Sequence, residues 1–492
     1  MSSAARIVAS LTETPSGDEL RALSEQVDVL ELRADLVRDV ELPWLRERFA
    51  GELLFTLRSR EQGGASDASD DTRRQRLLAA VGDCDLIDLE LARDLGESLL
   101  AEIEPSKRVI SWHGSAANLS QLQSHFERMV DHPARYYKLV PDAERSPHEM
   151  APLALLHSLR RDDVIAFASG PIGRWTRLLA PRLGAAVIFA AAGRKPAAPG
   201  QFSVGELIDT YGFPHLAELE FLYGLVGRRI EHSLSPRIHN NLYRSIGMPA
   251  CYLPFQVEEF GEFWIEIVES GSFPELGFQP GGLSITAPYK GIASAVAGAR
   301  SPLVDWIDSA NTLIYDDEVW EAESTDGEGV IATLVEAGVS IAGSKVAVIG
   351  AGGSGRSATV ALSRAGATVT LVNRNLDRGL KSAKKLRVAF RTLEGFDPTG
   401  FDIVVHATSL GSEPGDSLVF DPSRLDEDSV LVDMIYTEEG PSNLGREAKA
   451  IGRVAIDGRT PLLHQARPQI RMMTGHEPSI EELRQWAGLS AS

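Results

Sequence analysis

Residues 345–355 read KVAVIGAGGSG. An apolar, β-branched run from Val346 to Ile349 stops at a G-x-G-x-x-G turn formed by Gly350, Gly352 and Gly355, with Gly353 inside it. A helix over 356–364 and a second apolar strand over 368–373 are expected next, which gives a βαβ unit with the glycines in the right place. The first Gly permits the tight turn, the second lets backbone approach a pyrophosphate, and the third lets helix pack on strand. The helix N-terminus then offers free N–H groups and the positive end of its dipole to an anion. The pattern points to a dinucleotide; a plain glycine turn would not explain the flanking strand and helix.

The end of the second strand selects between dinucleotides. An Asp or Glu about 20 residues on would hold the ribose 2′-hydroxyl of NAD. This chain has Asn373 and Arg374 there, with Arg378 close by. No carboxylate repels a 2′-phosphate, and a guanidinium can clamp one. NADP is the expected cofactor; the alternative is that the arginine is simply solvated.

A chain of 492 residues exceeds one core, so two or three domains are expected. Its net charge of −20 argues against nucleic acid or an anionic membrane as partner. Small-molecule substrates are the expected partners, and oligomeric state is not legible. Two cysteines, Cys84 and Cys251, exclude a disulfide framework and fit a reducing, cytoplasmic setting. No apolar run reaches the roughly 18 residues of a membrane span. No signal peptide is read at the N-terminus, since the apolar run 7–11 meets Thr12 and Glu13 at once. No C-x-x-C or H-E-x-x-H pattern suggests a metal.

The first 192 residues hold eight short apolar runs, at 6–11, 27–35, 53–58, 86–91, 108–113, 136–140, 164–169 and 186–192. Stretches of helical character, such as 119–130 and 147–159, lie between them. Eight β units alternating with helices predict a (β/α)8 TIM barrel, with a doubly wound open sheet as the alternative. Barrel chemistry sits at the C-terminal strand ends. There the sequence places Glu31, Arg33 and Asp35, then Arg58, His113 and Lys138, then Arg174 and Arg177, and finally Gln201. Lys138 lies inside the apolar run YYKLV. Burial lowers a lysine's pKa, which is how a Schiff-base amine becomes nucleophilic near neutral pH. His113 can move protons beside it. The arginines and Glu31 suit a substrate with a carboxylate and hydroxyls. The plainer alternatives are a snorkelling Lys138, a core His113, and an Arg58 that merely pairs with Glu31.

The series ELRAD (31–35), FTLRSREQGG (55–64), SWH (111–113), YYKL (136–139), GPIGRWTR (170–177) and APGQFS (198–203) resembles type I 3-dehydroquinate dehydratase over residues 5–215. The resemblance implies imine formation by Lys138 and proton shuttling by His113 during loss of water. It implies substrate binding by Glu31, Arg33, Arg58, Arg177 and Gln201. Three positions depart from the pattern. Gly114 stands where an Asp usually follows S-x-H, Gln62 intervenes between Glu61 and Gly63, and Ala197 replaces a frequent Ser. The role of Glu61 and the partner of His113 stay open.

After the break at Phe213-Pro214-His215, a new strand is expected in LYGLVG (222–227), followed by GRRIEHSLSPRIHNNLY (227–243). Ser233 and Ser235 flank Leu234, with Pro236 at an expected first helical position. Two hydroxyls at a helix start can hold a carboxylate, or one can serve as a simple N-cap. Lys290 closes SITAPYK and Asp326 lies in STDGEG, each expected at the end of a strand-like run. A Lys–carboxylate pair can move a hydroxyl proton while hydride leaves carbon; the alternative is a surface ion pair.

EHSLSP, TAPYK, SANTL, STDGEG, GAGGSG, VNRN, HATSLG and LLHQA, in that order over about 220–480, resemble shikimate dehydrogenase. The resemblance implies shikimate binding by Ser233, Ser235, Thr286, Asn311, Asp326 and Gln465, and proton transfer by Lys290 with Asp326. It places Asn373, Arg374, Thr408 and Ser409 along the nucleotide. Arg228 and Arg229 stand where a Pro is frequent, and Ser324 where an Asn is.

The product of the first implied reaction is the substrate of the second. The sequence therefore predicts a bifunctional enzyme of aromatic amino acid biosynthesis. The expected barrel spans 1–216 and the substrate-binding domain 217–326, completed by helices in 459–492. The Rossmann domain is expected at 327–458. The alternative is a quinate/shikimate dehydrogenase whose barrel half is a non-catalytic, regulatory module.

Overall fold

A computed structural model describes residues 3–37, 40–116, 118–411, 413, 415–437 and 440–489. They fall into two compact units, one of residues 1–224 with 240–280 and the other of 225–239 with 281–492.

Eight parallel strands shape the first unit: β1 (Arg6–Leu11), β2 (Val29–Arg33), β3 (Glu52–Thr56), β4 (Leu86–Glu90), β5 (Arg108–Gly114), β6 (Tyr136–Pro141), β7 (Val164–Ala166) and β8 (Val187–Ala191). They pair in sequence order, and β8 closes on β1 in the register Arg6↔Val187 to Ser10↔Ala191. At the β7–β8 seam, the Ala186 N–H reaches the Val164 carbonyl at 2.9 Å. The expected barrel is therefore present. Its strands read as continuous apolar runs because both faces are covered, one by the barrel interior and one by helices. The helix Leu119–Val130 shows how the cover forms. Asn118 caps it by accepting the Gln121 N–H, and Leu122, Phe126 and Met129 are the buried residues of its inner stripe.

Residues 240–280 pack with this unit through aromatic side chains. Trp175, 1% exposed, meets Phe255 edge-on at 5.2 Å between ring centroids and Phe273 at 6.1 Å. Trp175 directly precedes the short helix Thr176–Leu179, which carries Arg177.

The second unit contains a six-stranded parallel sheet in the order 389–392, 368–373, 345–349, 403–406, 430–433 and 454–456. Numbered along the chain this is 3-2-1-4-5-6, the doubly wound Rossmann order, whose switch point lies beside strand Lys345–Ile349. The second strand, Thr368–Asn373, matches the expected limits. The helix opens at Gly353 rather than 356, because the turn needs only three residues before N–H groups begin to pair. Helix Ser235–Ser245 likewise begins one residue ahead of Pro236. Among the described residues, no helix is long and apolar enough to cross a membrane.

Candidate active sites

The first site lies inside the barrel. Strands β1 to β6 would normally fill this space with aliphatic side chains, yet Ser10, Glu31, Thr56, Asp88, Glu90, Ser111 and Lys138 are all buried in the first unit. Burying so many polar groups requires partners. The Glu31 carboxylate accepts the Ser10 hydroxyl at 2.5 Å and the Thr56 hydroxyl at 2.7 Å. Arg58 does not pair with Glu31. Its Nη2 bonds Asp88 Oδ2 at 2.7 Å and its Nη1 bonds Ser111 Oγ at 2.8 Å. The reason is reach: Arg58 follows β3 and meets groups on β4 and β5, while each Glu31 oxygen already accepts a hydroxyl. Arg33 makes a bidentate pair with Asp35 at 2.9 and 2.8 Å and donates to the Ala197 carbonyl at 3.1 Å. Gln201 folds back on the same loop, accepting the Ala197 N–H at 2.8 Å and donating to Ser10 at 3.2 Å.

Lys138 is the exception. Among the described residues its amine has no hydrogen bond or ion pair, and it sits 3.7 Å from the centre of the Phe189 ring. Burial draws its pKa down to about 8, with Arg58 and Arg33 adding to the effect and Glu31 and Asp88 opposing it. Arg177 is also buried and, among the described residues, has no ion pair; it lies over Phe167 at 4.1 Å with its Nε unsatisfied. Burial, with Arg174 nearby, lowers its pKa to about 9. A lone buried guanidinium is the signature of a site that receives an anion.

His113 ends this constellation. Burial, then the cations of Arg58, Lys138, Arg33 and Arg177, hold its pKa well below the usual value, so the ring is neutral. Gln62 is its partner: Oε1 accepts the His113 backbone N–H at 3.1 Å and stands 3.4 Å from Nδ1. Sequence reasoning noted Gln62 only as an interruption. Glu61 is exposed and lies 3.9 Å from Arg93.

The second site is a cavity of about 1630 Å³ in the second unit, lined by both glycine-turn and substrate-side residues. At its centre, Lys290 Nζ bonds Asp326 Oδ2 at 2.6 Å. Both residues begin helices, Lys290–Val296 and Asp326–Glu336, rather than closing strands as expected. A helix start leaves the carboxylate near free N–H groups, where its charge is favoured. Asn311 Nδ2 bonds Asp326 Oδ1 at 3.2 Å and Gln465 Oε1 at 2.9 Å, so Asn311, Asp326 and Gln465 form one network. Thr325 and Gln469, which the sequence reading did not single out, complete it by bonding Gln465 and the Asn311 carbonyl. Ser233, Ser235 and Thr286 line the cavity. Ser233 Oγ accepts the Ser235 N–H at 3.3 Å, and the Tyr436 phenol, also missed, is bonded to Ser233.

The other end of the cavity fits a dinucleotide. Gly350 adopts φ +117°, and a Cβ on Gly355 would lie 1.8 Å from the Gly350 carbonyl oxygen, so neither tolerates a side chain. Gly350, Gly352 and Gly353 line the cavity. Asn373 Oδ1 accepts the Ala351 N–H at 3.0 Å, which fixes the turn to the second strand. Arg374 and Arg378 are exposed on the lining. Thr408 is held by His406 at 2.7 Å, whose other nitrogen bonds Asp433 at 3.0 Å; Ser409 follows on the wall.

Comparison with known proteins matches both halves. Residues 7–218 match the family model for type I 3-dehydroquinase. Residues 225–313 match the shikimate dehydrogenase substrate binding domain, and 333–413 match shikimate / quinate 5-dehydrogenase. The chain is 34% identical over 262 residues to shikimate dehydrogenase (NADP(+)) of Methanothrix thermoacetophila, covering 53% of this chain and 94% of that protein. It is 25% identical over 504 residues to the bifunctional 3-dehydroquinate dehydratase/shikimate dehydrogenase, chloroplastic, of Arabidopsis thaliana, covering 96% of this chain and 80% of that one. Among solved structures, shikimate dehydrogenase from Aquifex aeolicus aligns at a TM-score of 0.50 with 27% identity, covering 54% of this chain and 97% of that one.

Proposed function

Because the chain belongs to the shikimate dehydrogenase family and carries a type I 3-dehydroquinase domain ahead of it, we propose that it catalyses two consecutive steps. The first unit dehydrates 3-dehydroquinate to 3-dehydroshikimate, and the second reduces 3-dehydroshikimate to shikimate with NADPH. The observation that carries the first activity is Lys138, a buried amine with no carboxylate partner and a pKa of about 8.

In the barrel, the neutral amine of Lys138 adds to the substrate ketone, water leaves, and an imine forms. The imine acidifies the neighbouring C–H bond. Neutral His113 accepts that proton and returns it to the departing hydroxyl, so water is lost and a double bond forms. Hydrolysis of the imine then frees Lys138. Arg177 holds the substrate carboxylate, since it is the buried cation lacking a counter-ion. Glu31, Arg33, Arg58 and Gln201 shape the polar floor around the hydroxyls.

In the second unit, Ser233 and Ser235 hold the ring carboxylate at the helix start, and Thr286, Asn311 and Gln465 hold its hydroxyls. Lys290, paired with Asp326, gives the reacting oxygen its proton as the carbonyl is reduced. Gly350, Gly352, Gly353 and Gly355 form the cradle for the pyrophosphate of NADP. Asn373, Arg374, Thr408 and Ser409 lie along the nucleotide, with Arg374 toward the 2′-phosphate. NADPH, when bound, supplies hydride.

The proposed domains are the barrel at 1–216, the substrate-binding domain at 217–326 with 459–492, and the NADP domain at 327–458. The proposed compartment is cytoplasmic; both cysteines are buried free thiols, which suits reducing conditions.

The test pairs two variants of the full chain. Lys138→Ala should abolish dehydration and leave shikimate oxidation intact. Lys290→Met should lower kcat for shikimate oxidation by roughly 10²–10⁴-fold and leave dehydration intact. Borohydride with 3-dehydroquinate should add a substrate-derived mass to the Lys138 peptide of the parent. No adduct, together with full dehydration by Lys138→Ala, would overturn the imine mechanism and leave the barrel a binding module.

A further inference from the structure

Lys290 has a second partner that no motif announces. Its Nζ donates to Ser354 Oγ at 2.8 Å as well as to Asp326 at 2.6 Å. Ser354 stands in the first turn of helix Gly353–Arg364, directly after the glycine turn. The approach is close all along the lysine stem. A Cβ on Gly353 would lie 3.1 Å from Lys290 Cβ and Cδ and 2.2 Å from Ser309 Oγ. One turn further along the same helix face, Ser357 Oγ accepts the Gly327 N–H at 3.0 Å and meets Ser324 Oγ at 2.9 Å. Gly327 follows Asp326. The helix that begins at the dinucleotide turn therefore holds Lys290 directly through Ser354, and the backbone next to Asp326 through Ser357.

We propose that Ser354 is a positioning residue for the reductase half: with Asp326 it occupies two of the three N–H bonds of the Lys290 ammonium and directs the third at the substrate oxygen. The proposal rests on the reading of Lys290 as the proton donor. An ammonium has three equivalent donors on a flexible stem, so a single carboxylate partner leaves it free to rotate. Two partners on different elements fix the remaining direction. The hydroxyl suits both states of the cycle. It accepts from the ammonium, and once the proton has left it donates to the neutral amine. The element that cradles the cofactor thereby also sets the proton donor.

The experiment compares Ser354→Ala and Ser354→Thr in the full-length protein. In Ser354→Ala, kcat for shikimate oxidation should fall about tenfold, the lower end of what a hydrogen bond to a charged group contributes. The Michaelis constants for shikimate and NADP should change less than threefold. The solvent deuterium isotope effect on kcat should rise, because proton transfer has become slower relative to the other steps. Independently of turnover, trace labelling with acetic anhydride followed by peptide mass spectrometry should show Lys290 acetylated several-fold faster without cofactor or substrate. Ser354→Thr keeps the hydroxyl and should restore both readouts, which a loss of helix packing would not allow. Dehydratase activity of all variants reports folding of the barrel, and the nearly unchanged Michaelis constants report that of the reductase half. An unchanged labelling rate and isotope effect in Ser354→Ala, with Lys290→Met still inactive, would overturn the role of Ser354 while leaving that of Lys290 intact. An active Lys290→Met would remove the premise instead.

Discussion

Gln62 Oε1 lies 3.1 Å from the backbone nitrogen of His113 and 3.4 Å from its Nδ1. The imidazole proposed to shuttle protons is thus held by a neutral amide rather than a carboxylate. Burial first, and then the cations of Arg58, Lys138, Arg33 and Arg177, hold the ring's pKa well below the usual value. His113 stays neutral and ready to accept a proton.

Gln62→Glu replaces that amide with a charge. The carboxylate should raise the His113 pKa by roughly one unit. A neutral base works above its pKa, so the acid limb of kcat for dehydration should move to higher pH while the reductase profile stays fixed. A superimposable pH–kcat curve would show that Gln62 does not govern the ring.

Arg177 is a buried cation without a counter-ion among the described residues. Arg177→Met should raise the Michaelis constant for 3-dehydroquinate by roughly 10–100-fold, as expected for losing a charge-assisted contact. The same change should stabilise the fold. A cation whose pKa is depressed on folding costs stability throughout the range below its unfolded pKa, so the gain should be present from pH 5 to pH 9. Denaturant midpoints over that range are the measurement; a less stable variant would mean Arg177 has a structural partner.

Arg374→Ala should raise the Michaelis constant for NADP by roughly tenfold or more and that for NAD little, because only NADP offers the phosphate. Initial-rate kinetics with both cofactors decide it. Equal effects would remove Arg374 from the 2′-phosphate.

Glu149 is 1% exposed, hydrogen-bonded to Ser146 at 2.8 Å, and raised by burial to about 7. The unfolded carboxyl ionises first, so stability falls as pH rises from about 4.5 to about 7 and then levels off. Glu149→Gln should therefore match the parent at pH 4.5 and exceed it at pH 8, by on the order of 2–3 kcal/mol. Thermal unfolding at the two pH values checks the difference; a constant offset would assign it to packing.

Strand Thr368–Asn373 and helix Leu119–Val130 were legible residue by residue, because each has an uninterrupted period and a clear stop. The starts of the helices at Lys290 and Asp326 were not. Both follow strand-like runs, and the polar residue after each looks, locally, like a strand end. The candidate residues Glu31, Lys138, Asn311 and Gln465 were found by residue type and motif. Gln62, Ser354, Tyr436 and Gln469 were missed, because a side-chain amide or hydroxyl is common everywhere and gains meaning only from what it meets. Gln62 and His113 are 51 residues apart, and Ser354 and Lys290 are 64.

The sequence by itself determined the two architectures and the chemistry each carries. Alternation of strands and helices, glycine spacing and the order of polar strand ends are local patterns, set by backbone geometry over a few residues. Only the tertiary structure decided which charges are satisfied. It gave Arg58 to Asp88 instead of Glu31, left Lys138 and Arg177 over aromatic rings with no ion pair among the described residues, and placed Ser354 on Lys290. Desolvation and hydrogen bonding are sums over neighbours brought from distant parts of the chain, and a linear pattern does not contain those sums.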